Sequence, residues 1–140
     1  MVAIDTSTDF GKRLLERLHD EEIVWLVTVN RHGVPQPSPV WFHWEQDEVL
    51  IFSQPNAPKV RNIATNPAVA LHLNSSPHGD DIAILTGTAE VADDAPKVDQ
   101  VDAFVRKYER GLRSLGMAPE EMAASYSATI RVTIEHVRGW

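Results

Sequence analysis

Three alternating prolines, Pro35, Pro37 and Pro39, constrain this chain more than any other feature. They sit in a stretch, Pro35 to Glu45, that otherwise reads as a β-strand. Proline has no N–H, and the two-residue period of a strand puts all three missing donors on one edge. Gln36, Ser38 and Val40 keep their N–H groups for the other edge. Such a strand pairs normally on one side only. It is either an edge protected against further pairing or a split in the sheet where a planar ligand lies along exposed backbone, and the two readings are compatible.

The segments around it carry strand and turn chemistry. Ile23 to Val29 is β-branched and aromatic and reads as a strand, and Asn30-Arg31-His32-Gly33 is a hairpin turn. Gln46-Asp47 is a second turn leading into a strand over Glu48 to Ser53. Val69 to Asn74, Asp81 to Ala92 with a bulge at Gly87, and Ser127 to Val137 complete six strands. Helices are expected at Phe10 to Asp20, capped by Ser7 or Thr8, at Lys59 to Thr65 behind Pro58, and at Glu120 to Tyr126. A further helix carries Val98, Val101, Phe104, Val105 and Tyr108 on one face, capped by Asp93 or Asp94. Gly111 to Pro119 reads as loop. The expected architecture is mainly β: a six-stranded antiparallel split β-barrel with peripheral helices, one domain over residues 1–140.

Composition removes several functions. The 140 residues include 13 Lys and Arg against 20 Asp and Glu, a formal net charge of −7, which argues against non-specific nucleic-acid binding. With no Cys there is no disulfide framework, thiolate nucleophile or Cys-ligated metal. The first twenty residues are interrupted by charge, and no apolar run approaches a membrane span, so a soluble, cytoplasmic protein without membrane attachment is expected. His43 and His72 on strands and His32 and His78 in turns have no metal-binding spacing, and no metal is expected. No nucleophile elbow is present. Trp25, Trp41, Trp44 and Trp140 read as core or interface aromatics.

One segment reverses the overall charge. Between Ser53 and Asn66 there is no carboxylate, and Lys59 and Arg61 stand at the start of a helix that follows a strand ending in Ser53. Helix N-termini bind phosphates through free N–H groups, and an arginine can grip phosphate oxygens in a fork. A solvated helix face is the plainer reading of the same two charges.

Taken in order, Gly33-x-Pro35-x-Pro37-x-Pro39-Val40-Trp41-Phe42, Ile51-Phe52-Ser53 and Lys59-Val60-Arg61-Asn62-Ile63-x-x-Asn66-Pro67 resemble the pyridoxamine 5′-phosphate oxidase-like flavin and deazaflavin proteins. The short chain and its end, Val137-Arg138-Gly139-Trp140, bring it nearer the small branch that uses coenzyme F420. The resemblance implies a split-barrel homodimer with cofactor sites at the subunit interface. It implies that Ser53, Lys59 and Arg61 hold the cofactor phosphate with Asn62 supporting that turn. It also implies that Gln36, Ser38 and Val40 line the ring system through their backbone, and that Trp140 and Arg138 reach the site from the partner subunit. The Arg-containing C-terminal segment by which true pyridoxamine phosphate oxidases bind substrate has no counterpart. Ala57 stands where some deazaflavin-binding relatives have a further basic residue.

Two functions follow from these residues and the resemblance. One is an F420-dependent oxidoreductase, or its FMN-dependent equivalent, passing a hydride between the cofactor and an unsaturated small-molecule substrate, with no catalytic residue assigned. The other is a module that binds a flavin, heme or another planar ligand without turnover.

Overall fold

The computed structural model describes residues 4–140; residues 1–3, part of the expected 1–140 domain, lie outside the described residues. Seven strands form one antiparallel sheet, β1 (Val24–Val29), β2 (Pro35–Val40), β3 (His43–Glu45), β4 (Glu48–Ser53), β5 (Ala68–His72), β6 (Ala83–Val91) and β7 (Ala128–Gly139). Their order is β2-β1-β5-β6-β7-β4-β3. β2 and β3 are therefore opposite edges, yet only Trp41 and Phe42 separate them in the chain. A two-residue link between opposite edges requires the sheet to curl until they meet at that end, giving an open half-barrel.

This corrects the expected strand count of six. The stretch Pro35 to Glu45 is not one strand but two, because at Trp41 and Phe42 the chain passes from one edge of the sheet to the other, where the buried Phe42 N–H bonds the Tyr108 hydroxyl in place of a strand partner. The proline reading holds. β2 pairs with β1 alone, from Val24↔Val40 to Val29↔Pro35. The Asn30 N–H donates to the Val34 carbonyl at 3.0 Å, which sets the phase. Even-numbered residues of β2 face β1, and Pro35, Pro37 and Pro39 face the open edge.

Turns and bulges follow local chemistry. Gln46 and Asp47 both have positive φ (48° and 64°), as a two-residue hairpin of the primed type needs. The β6–β7 register slips between Thr86 and Gly87. A Cβ on Gly87 would lie 1.9 Å from the Thr133 carbonyl, so the bulge expected at Gly87 admits no side chain.

Helix α1 (Asp9–Asp20) is capped by Thr8, whose hydroxyl accepts from the Gly11 N–H. It packs Leu14 and Leu18 into the interior of the curl against Leu26, Ile51, Leu71, Leu85 and Ile130. Five buried positions in succession on β4, Val49 to Ser53, show that this strand is covered on both faces. A second apolar layer, Phe52, Val98, Phe104, Tyr108, Leu112 and Met122, lies on its outer side.

That layer differs from expectation. The helix expected through Val98 to Tyr108 is a 3₁₀ turn over Val98–Gln100 followed by α3 (Asp102–Lys107) and α4 (Glu109–Leu115). Asp93 and Asp94 cap neither; Asp94 instead pairs with Arg131 at 3.3 Å. The expected loop from Gly111 is helical as far as Leu115, and Gly116 ends α4 in the left-handed conformation (φ 67°). A Cβ on Gly111 would come within 2.6 Å of the Trp41 ring, so glycine here seats that indole. α5 spans Pro119–Ser125, and α2, Pro58–Thr65, begins at the end of β4.

Tyr108 joins this layer to the seam of the half-barrel. Its hydroxyl accepts from the Phe42 N–H at 3.0 Å and donates to the Glu22 carbonyl at 2.7 Å. Its ring stacks on Trp41, centroids 4.5 Å apart and planes inclined by 12°. Burial pushes the phenol well above its ordinary pKa, so it stays neutral. Tyr108→Phe leaves the buried Phe42 N–H unpaired and is expected to lower stability by ~1–3 kcal/mol, read from urea denaturation.

Beside it the Lys107 ammonium lies 3.9 Å from the Phe42 ring centroid. Burial lowers its pKa from 10.5 to about 8, against the opposing pull of Asp20, Glu22 and Glu21. Between those values the unfolded chain holds a proton that the folded chain has released, so stability rises with pH across the window and this gain is lost as pH falls through about 8. Lys107→Met is expected to flatten that rise in urea midpoints measured across the window.

Candidate functional site

Two strand ends and one helix start converge on a cavity of about 400 Å³. β2 brings Pro39 and Val40, followed by Trp41; β4 brings Phe52 and Ser53; α2 and the turn before it bring Gln54, Ala57 and Lys59. Leu115 and Met117, at and just beyond the end of α4, and Met122 and Tyr126, within and just beyond α5, complete the lining. The lining is mainly apolar with a single charge, the Lys59 ammonium.

That charge is half-buried, and burial pulls its pKa below the ordinary lysine value. Among the described residues it has no carboxylate partner within salt-bridge distance. The α2 N-terminus adds to it. Pro58 occupies the first turn without an N–H, and the Val60 and Arg61 N–H groups bond the Ala57 carbonyl at 3.0 and 3.4 Å. The Lys59 N–H is left facing the helix start. Ser53 is 3% exposed, and its hydroxyl donates to the Gln54 carbonyl at 3.0 Å. A partly desolvated cation, a free helix amide and a hydroxyl with spare acceptor capacity can hold an anion at one end of an apolar slot.

Of the other expected site residues Val40 lines this cavity, and the rest lie outside its lining. Arg61, Gln36 and Asn62 border a separate cavity of about 650 Å³ on the other side of α2, whose lining shares no residue with the first. Asn62 is buried and uses both amide hydrogens, one on the Thr28 hydroxyl (3.0 Å) and one on the Gln36 side-chain carbonyl (2.8 Å). It anchors α2 to β1 and β2. Gln36, Ser38 and Val40 turn their backbone polar groups toward β1, so the backbone contacts expected from them are taken up by the sheet. The open edge carries the carbonyls of Pro35, Pro37 and Pro39 instead.

Trp140 and Arg138 are remote from Ser53 within one chain. Ser53 pairs with Ala128 at the start of β7, whereas Trp140 follows its far end and exchanges backbone hydrogen bonds with Ile82. At about 3.3 Å per residue the path along the strand is roughly 40 Å. Trp140 is 65% exposed.

Sequence reasoning missed the wall formed by Leu115, Met117, Met122 and Tyr126. Met122 and Tyr126 are four apart, a helical spacing that marks one face, but no local pattern says that this face meets the ends of β2 and β4. Trp41 was visible only as one aromatic among four.

An antiparallel half-barrel, split at a proline-rich edge and bearing a cationic helix start at the end of an inner strand, defines the split-barrel class of folds. The pyridoxamine 5′-phosphate oxidase family matches residues 10–140, and the chain belongs to it. Solved structures with the same fold include HutZ, a heme storage protein from Vibrio cholerae (TM-score 0.67, 14% identity, 94% of this chain and 95% of that one). A Listeria innocua protein named after pyridoxamine 5′-phosphate oxidase has a TM-score of 0.67 at 18% identity, covering 91% of this chain and 94% of its own. An F420 reductase has 23% identity and a TM-score of 0.63 over 88% of this chain and 94% of its own. Among the described residues no helix is long and apolar enough to cross a membrane, and no group of three or more His, Asp or Glu side chains could hold a metal.

Proposed function

We propose that this chain is a deazaflavin-dependent oxidoreductase that binds F420 in the cavity beside Lys59, with FMN as the alternative cofactor of the same site. The half-buried, unpaired Lys59 ammonium at the end of an apolar slot carries this reading. An ammonium placed there without a counter-charge suits a ligand that brings a phosphate and buries a ring system. Lys59, its backbone N–H and Ser53 would hold the phosphate. Val40, Pro39 and Trp41 would flank the rings, and Asn62 would keep the helix start in place from behind.

When bound, such a cofactor supplies hydride transfer to or from an unsaturated small molecule. The chain's own part is positioning and exclusion. Trp41 is held flat against Tyr108 and gives one rigid wall. Leu115, Met117 and Met122 line its apolar side and would limit water around a bound ring system. Ser53 and Tyr126 are the hydroxyls in the lining, and solvent protonation of the product would require neither. In this reading the active form is a homodimer, because Trp140 and Arg138 can approach the cavity only from a second copy.

A non-catalytic ligand-binding role is the second reading, favoured by a lining that holds no carboxylate or imidazole. The same lack of an imidazole offers heme no histidine ligand there. Side-by-side fluorescence titration with F420 and FMN is expected to show the tighter binding for F420. Lys59→Ala should weaken it by ~1.5–3 kcal/mol, the range for hydrogen bonds to charged groups. Equal affinity in the variant would remove the phosphate site. Consumption of reduced F420 with a panel of quinones and enones separates the enzyme from the binding module. Light scattering should give a dimer at micromolar concentration, and a monomer would count against shared sites.

A further inference from the structure

A cavity at the β3 edge of the sheet takes no part in the cofactor reading. It lies between the second half of α1, β3 and the β3–β4 hairpin, measures about 520 Å³, and shares no residue with the cavity beside Lys59. Its ionisable lining residues are His19, His43, Glu45 and Asp47, with neither lysine nor arginine, and Leu15 and Trp44 supply apolar surface. We propose that it is a binding site for a small organic ammonium ion with an apolar body.

The backbone fixes these groups in place. β3 pairs with β4 alone, so residues of both its faces can border a cavity along its unpaired side. Trp44 is buried in the core, and the two-residue period turns His43 and Glu45 together to the other face, with His43 Nε2 and Glu45 Oε2 3.9 Å apart. In the hairpin the Asp47 carbonyl accepts from the Ile134 N–H at 3.1 Å, which holds the turn against β7. His19 follows Leu15 by one turn of α1, so both lie on the side of the helix that meets the cavity.

The charge of the recess is unbalanced. Among the described residues Glu45 has only its contact with His43, and Asp47 has no ion pair. Burial lowers the His43 pKa against the pull of Glu45, and the charges of Lys107 and His19 lower it further, so the imidazole is uncharged above neutral pH. Lys107 lies outside the lining. Its ammonium is engaged by the Leu18 carbonyl (3.4 Å) and the Phe42 ring (3.9 Å), in the field of Asp20, Glu22 and Glu21. Two carboxylates and a neutral imidazole are complemented by a cation that donates N–H bonds. The volume and the apolar surface of Leu15 and Trp44 suit a hydrocarbon portion as well. A bare metal ion fits less well, because no group of three or more ligating side chains could hold one among the described residues.

Isothermal titration of the full chain with phenethylammonium chloride, at low ionic strength and about pH 8, above the ordinary histidine range, tests the proposal. Phenylethanol serves as the uncharged isostere and calcium chloride as the bare cation. One-to-one binding of the amine is expected, weakening as salt is added, with the alcohol bound about tenfold more weakly or less. Glu45→Gln and Asp47→Asn should each weaken amine binding about two- to fivefold, the range for exposed ion pairs, whereas Lys59→Ala should leave it unchanged. Asn tolerates the positive φ of position 47 (64°), and far-UV circular dichroism of each variant checks that folding is retained. No binding of the amine at millimolar concentration would overturn the proposal, whether or not calcium binds. So would equal affinity for the alcohol, unchanged affinity in both carboxylate variants, or loss of binding in Lys59→Ala.

Discussion

The structure depends on one short crossing. Trp41 and Phe42 carry the chain from one edge of the sheet to the other, and a sheet whose edges are tied by two residues has to curl. A crossing of this kind leaves backbone polar groups without a strand partner, and Tyr108 supplies one for Phe42. The same phenol reaches Glu22, just before β1, so a single side chain from the helical layer ties the seam to the adjoining strand entrance. Its ring fixes Trp41, and Trp41 is a wall of the cavity. The curl, the docking of the helical layer and the shape of the slot are thus one packing problem, solved around Phe42 and Tyr108.

Much of the fold was legible because its markers are local. The missing N–H groups of Pro35, Pro37 and Pro39 identify an edge strand with no tertiary information, and the Gln46-Asp47 turn and the Gly87 bulge are equally short-range. What was not legible is long-range. Nothing in Pro35 to Glu45 says that the strand breaks at Trp41, since both rings suit a strand and the break is set by Tyr108, 66 positions away. Val98, Val101, Phe104, Val105 and Tyr108 keep a helical spacing and so predict one helix after Asp93; they do share a buried layer, but the backbone leaves helical geometry at Val101 and Tyr108. Gly111 suggested a loop, whereas its place in a helix is explained by the indole it faces.

The site divides in the same way. Ser53 and Lys59 are six positions apart around a strand end and a helix start, and their meeting at one cavity follows from that local layout. Arg61 is only two residues from Lys59, yet on a helix two residues span about 200° of rotation, which places the two side chains on opposite sides of α2. Charge counted along the chain merges them; helical geometry separates them into two cavities. Asn62, by contrast, is a polar residue whose burial explains itself, because one amide secures α2 to two strands.

The acceptor-only edge of β2 also limits how copies of this chain can meet. A continuous sheet running from one subunit into the next needs N–H donors from both edge strands in alternation with carbonyls. Over Pro35 to Pro39 only the carbonyls remain. The opposite edge, β3, is three residues long and offers little length for such a ladder. Edge-to-edge growth of the sheet is thereby disfavoured at both of its edges. Strand addition at such an edge would leave a fresh edge for a third copy, whereas a self-complementary contact between like faces would close after two.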